Sequence, residues 1–157
     1  GVDATRFFML QRSHDSTVDL DLDLAREESS ENPVYYVQYA HARIARILER
    51  IGAETVEAAL GEEPAGLELH PSERELVRKL LAFPAEVAEA AARRAPHRIA
   101  TYVLELGQAF AAFYRDCPVK DAEPEALKAF RIGLCVSTKR TLARALDLLG
   151  VSAPESM

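Results

Sequence analysis

The stretch NPVYYVQYAHAR, Asn32 to Arg43, decides how the chain reads. Asn32 offers a side-chain acceptor where a helix needs its N-cap, and Pro33 occupies the first helical position, where proline is tolerated best. Val34, Val37, Ala40, Ile44, Ile47, Leu48 and Ile51 then recur at helical spacing until Gly52 ends the run. At about 100° per residue, Tyr36, Tyr39 and Arg43 fall at i, i+3 and i+7 and form one stripe beside that apolar face. On the residues alone two readings stand. The tyrosines pack at the rim of a core with wet hydroxyls, or they form a platform for unstacked bases, with Arg43 at hand for phosphate or a cation–π contact.

Downstream the helical signals continue. A short helix is expected over Glu54–Leu60, followed by a loop from Gly61 to His70 that contains Pro64 and Gly66. Ser72 to Glu75 has the form of a capping box that opens a helix through Leu76, Leu80 and Leu81. Phe83-Pro84 is expected to break it before a second, Ala-rich run over Glu86–Arg94. Pro96 opens a long helix with Ile99, Val103, Leu106, Phe110 and Phe113 inward, and Tyr114 turned outward by one residue's rotation. After a turn at Pro118–Glu123, Pro124 begins a last helix that buries Leu127, Phe130, Leu134, Leu142, Leu146 and Leu149, and Gly150 ends it.

Upstream of Asn32 the pattern changes. Val2 to Leu10 suits a short helix presenting Phe7, Phe8 and Leu10. Val18 to Leu24 alternates Leu or Val with Asp at period two, the mark of a half-buried strand. A lone strand needs a partner, which is expected to lie before Gly1. The chain thus reads as mainly α: a helical bundle of five or six helices over residues 25–157, preceded by a short helix–strand segment over residues 1–24. The start at Gly1, with no methionine, suggests a piece of a longer protein.

The 157 residues carry 19 Lys plus Arg against 25 Asp plus Glu, a net charge of −6. Residues 1–89 hold 9 basic and 18 acidic side chains, whereas residues 90–157 hold 10 basic and 7 acidic. An acidic front half and a mildly basic back half suit a partner that touches one face. A protein bound to RNA by phosphate attraction alone would be far more basic. Stacking and base-edge contacts must therefore supply much of any discrimination. No apolar run reaches the roughly 20 residues of a membrane helix and no secretory signal pattern appears, so no membrane partner is expected. Cys117 and Cys135 are too few for a disulfide framework or a four-ligand zinc site. They read as packed thiols in a reducing, cytoplasmic setting.

Catalytic signatures are missing. The 7 glycines are scattered, with no phosphate-cradling loop, and His14, His41, His70 and His97 form no metal-binding pair. His14-Asp15 is the one adjacent His–carboxylate pair, and neighbours on a chain usually point apart. Asp19, Asp21 and Asp23 would share a strand face, which reads as solvated.

These pieces in this order resemble the C-terminal portion of the arginyl-tRNA synthetases. The residues that carry the match are Gly1–Ala25 (GVDATRFFMLQRSHDSTVDLDLDLA), Asn32–Arg43, Ala95–Leu106 (APHRIATYVLEL), Phe110–Cys117 (FAAFYRDC) and Leu146–Met157 (LDLLGVSAPESM). The resemblance implies an α-helical anticodon-binding domain of the DALR type, with residues 1–24 as the exit from a class I catalytic core. The KMSKS and HIGH signatures of that core are not in this chain. The ATP site would lie upstream, so no cofactor is implied for this piece. Its implied partners are arginine-accepting tRNA, through the anticodon loop, and the catalytic domain of the same enzyme. By the same resemblance Tyr36, Tyr39 and Arg43 face the anticodon loop, Tyr114 stacks in the pocket for the middle anticodon base, a cytosine, and Met157 with its carboxylate closes that pocket. Gln38 and His41 are expected to pack or to bond between helices.

Three positions depart from the family's usual pattern. Ala111 stands where His is common, Pro118 where Arg is, and Ser156 where Arg precedes the final Met. Ala143-Arg144-Ala145-Leu146 likewise replaces an Asn-Gly-Leu arrangement. Arg115, Lys139, Arg140 and Arg144 are the candidates to restore the lost donors. The competing reading is a protein-interaction bundle without RNA activity.

Overall fold

Asn32 caps α2 (Pro33–Ile51) as its sequence predicts: its side-chain oxygen accepts from the backbone N–H of Val34 at 3.2 Å and of Tyr35 at 3.5 Å. The computed structural model describes residues 1–13, 15–17, 21–63 and 65–157. The other helices are α1 (Val2–Leu10), α3 (Ala53–Gly61), α4 (Pro71–Ala92), α5 (His97–Asp116) and α6 (Glu125–Leu148). The core forms where α5 lies against α2, α4 and α6. Val37 and Ile44 of α2, Val103, Leu106 and Phe113 of α5, and Leu142 and Leu146 of α6 are sealed within it. Helix α1 shares this core through Ala4, Phe7 and Phe8. Each large apolar side chain taken wholly from water contributes about 1.5–3 kcal/mol.

Three local expectations are corrected. The first is the strand. Residues 18–20 lie outside the described residues, and Asp21–Leu24 runs through a turn into a single 3₁₀ turn, Leu24–Arg26. The Asp21 carboxylate accepts from the backbone N–H of both Asp23 and Leu24 at 3.0 Å. With no neighbouring strand among the described residues, this local capture competes successfully against the alternating pattern.

The second concerns the start of α4. His70, not Ser72, is its N-cap. The imidazole Nδ1 accepts from the Ser72 N–H at 3.2 Å, and the Glu73 carboxylate accepts from the His70 N–H at 2.6 Å.

The third is the break at Pro84, which does not occur, so the two expected helices are one. Pro84 is exposed, and Leu76 and Ala90 on either side are buried. Phe83 stacks on Tyr102 of α5 with ring centres 5.3 Å apart, and the Tyr102 hydroxyl donates to the Lys79 carbonyl at 2.8 Å. These contacts hold the turn that proline weakens. Leu81, expected in the core, is 76% exposed on the outer face.

Candidate nucleic-acid interface

The five residues singled out from sequence lie around adjoining clefts. Tyr36, Tyr39, Ala40 and Arg43 of α2 face Gly107, Phe110, Ala111 and Tyr114 of α5 across a cavity of about 80 Å³. The approach of the helices depends on Gly107, because a Cβ there would stand 3.1 Å from the ring of Tyr36. Burial raises the Tyr36 phenol above its ordinary pKa, so it remains a hydroxyl donor. Tyr39 is more open, at 46% exposed, and stacks on Tyr35 with ring planes 11° apart. Tyr114 is half-buried against Phe110, with ring centres 6.0 Å apart, and the Arg43 guanidinium lies over its ring at 5.0 Å.

A second small cleft joins Tyr39, Ala42, Arg43 and Arg46 to Ser156 and Met157. The chain's end is brought here by an ordered tail. Val151 is buried, and the Arg6 guanidinium donates to the Gly150 carbonyl at 2.7 Å. The Gln38 amide donates to Asp3 at 2.9 Å and to the Ser152 carbonyl at 3.0 Å, while His41 Nδ1–H donates to the Pro154 carbonyl at 2.8 Å. Gln38 therefore joins α2 to α1 as well as to the tail, whereas His41 binds the tail. Burial favours protonation of Asp3, but hydrogen bonds from Ser152 and Gln38 outweigh it and hold the carboxyl below its ordinary value.

Of the proposed compensating cations, Lys139 holds Glu155 at 2.6 Å, Arg144 holds Asp147 at 2.8 Å, and Arg115 pairs with Asp116 at 2.7 Å. The Arg115 guanidinium and the Ser72 hydroxyl push the Asp116 carboxyl down to about 2. Arg140 is exposed. Besides Arg43, the cations that line the clefts are Arg46 beside Met157, and Arg50 and Lys120 beyond Tyr114. Arg46 and Arg50 continue the stripe of Arg43 at i+3 and i+7, a signal legible in the sequence. Lys120 had no such signal. Among the described residues no group of three or more His, Cys, Asp or Glu side chains could hold a metal ion, and no helix is long and apolar enough to cross a membrane.

Residues 37–157 match the family described as the DALR anticodon binding domain. The whole chain is 47% identical to an arginine–tRNA ligase of Desulfitobacterium hafniense and 44% identical to one of Frankia alni, and it spans 28% and 29% of their lengths. Its structure is similar to that of the Thermus thermophilus arginyl-tRNA synthetase, with a TM-score of 0.86 and 37% identity over 99% of this chain and 26% of that one. A putative arginyl-tRNA synthetase from Campylobacter jejuni superposes with a TM-score of 0.88 at 26% identity over 99% of this chain and 33% of that one. With three quarters of its length matched in this way, the chain belongs to the DALR anticodon binding domain family.

Proposed function

We propose that this chain grips extruded anticodon bases of arginine tRNA, as one part of an ATP-dependent arginine–tRNA ligase working in the cytoplasm. The observation that carries the reading is the convergence of Tyr36, Tyr39, Arg43, Tyr114 and Met157 on clefts that share Tyr39 and Arg43. Aromatic faces take unstacked bases, and an Arg beside them takes phosphate or covers a ring. A base that stacks on Tyr114 does so as the Arg43 guanidinium moves from ring to backbone. The catalytic domain, with its ATP and arginine sites, belongs to the remainder of the enzyme. In this reading residues 1–24 lead to it, and Asp3 ties them to the interface through Gln38, next to Tyr39, and Ser152 in the tail.

Titration of the chain with an arginine-tRNA anticodon stem-loop tests this reading. Changing the middle base from cytosine is expected to weaken binding at least tenfold, and a noncognate loop is expected to bind no better. Equal binding of all three loops would leave a helical bundle without anticodon recognition. A detached domain also loses the effective concentration supplied by the rest of the enzyme, so the comparison rests on ratios between loops.

A further inference from the structure

Beyond Tyr114 the interface continues into a cavity of about 530 Å³, between the end of α2 and the turn that follows α5. Ile47, Ile51 and Val119 give it an apolar floor, and Arg50, Lys120 and Asp121 stand at its rim. The three rim residues are exposed, and among the described residues their side chains have no hydrogen-bond or ion-pair partner. The far wall, by contrast, is firmly built. Arg131 donates to the Pro118 carbonyl at 2.7 Å and to the buried Glu73 carboxylate at 2.6 Å, and Val119 is 4% exposed. A wall held in advance lowers the ordering cost of binding.

We infer that this cavity is a second nucleotide subsite. It takes the nucleotide next to the base held at the tyrosine cleft, on the same RNA strand. The inference rests on the anticodon reading above, and Tyr114, which borders both cavities, ties the two together. An apolar floor with an aromatic border suits a planar base. Two unpaired cations suit the phosphate that joins consecutive nucleotides. The Asp121 carboxylate is an acceptor for an amino or imino N–H on a base edge.

The test uses the whole chain and an arginine-tRNA anticodon stem-loop, intact or with an abasic residue at either neighbour of the middle base. One abasic loop is expected to bind five- to tenfold more weakly than the intact loop. In an Asp121→Ala, Ile51→Ala variant the two should bind within twofold of each other. Replacing Arg50 and Lys120 by Ala should flatten the log–log salt slope by about 0.7, the loss of one single-strand phosphate contact. Asp121→Ala alone serves if the double variant unfolds, since Asp121 supports no other group. If neither abasic loop loses affinity, or the loss persists in the variant, the subsite falls. Continued sensitivity to the middle base would show that the anticodon reading survives this. Insensitivity to the middle base as well would remove both.

Discussion

The guanidinium carbon of Arg43 stands 5.0 Å from the centre of the Tyr114 ring and joins α2 to α5 across the mouth of the cleft. An exposed contact of this kind is worth about 0.5–1 kcal/mol. Arg43→Ala should therefore lower the urea unfolding free energy by no more than about 1 kcal/mol, yet weaken stem-loop binding about tenfold through the lost phosphate partner. Tyr114→Ala should cost about 1–3 kcal/mol of binding, while Tyr114→Phe keeps the stacking surface and most of the affinity. Equal losses of stability and affinity in Arg43→Ala would make the residue a brace.

Gly107 separates packing from recognition. Alanine in a helix interior is favoured over glycine by about 1 kcal/mol, but here its Cβ presses the Tyr36 ring at 3.1 Å. The ring must shift by a few tenths of an ångström toward the cleft. Gly107→Ala is expected to leave the melting temperature close to that of the parent and to reduce stem-loop affinity several-fold. Unchanged affinity would show that the position of Tyr36 does not matter to binding.

The tail is held by a small polar node. Gln38→Ala removes the donor to Asp3 and Ser152 and should cost about 1–3 kcal/mol, because one acceptor is charged. Carboxypeptidase should then trim the last residues faster. Acid should act on the same node. The Asp3 carboxyl titrates lower in the folded chain than in the unfolded one, so its contribution is present at neutral pH and lost as pH falls from the ordinary carboxylate range through the depressed value. The trimming rate measured against pH checks this, and in Asp3→Asn that acid dependence should shrink.

Glu73 is fully buried, and the Arg131 side chain is 11% exposed. Removing one member of such a pair strands the other, at about 3–5 kcal/mol. Arg131→Met should approach that cost in urea unfolding, because Glu73 then keeps only the His70 N–H. Joint replacement of Glu73 and Arg131 by apolar residues should recover part of it. A loss below 1 kcal/mol in Arg131→Met would mean that the pair contributes no more than an exposed one.

Both cysteines are poor nucleophiles. Burial pushes the Cys135 thiol up to about 12, and burial followed by the Glu73 charge raises Cys117. Iodoacetamide at mildly alkaline pH should leave both unmodified in the folded chain and alkylate both in strong denaturant. Mass spectrometry across an unfolding titration should show modification rising with the unfolded fraction.

What the chain's order of residues determined alone was local. The cap at Asn32, the stop at Gly52, the apolar spacing of α2, α5 and α6, and the shared face of Tyr36, Tyr39 and Arg43 follow from a helix's fixed pitch and the few side chains that satisfy its ends. Tertiary contact decided the rest. Pro84 stays within α4 because Phe83 and Tyr102 meet across two helices, and Asp21–Leu24 turns where a paired strand was expected. Gln38 and His41 carry no local sign that they will hold Ser152 and Pro154, more than a hundred residues away. Lys120 and Asp121 reach Arg50 only because α5 delivers its following turn to the end of α2. Pitch and capping act within a turn or two of helix, whereas hydrogen bonds and clefts between distant segments exist only once packing has chosen which faces meet.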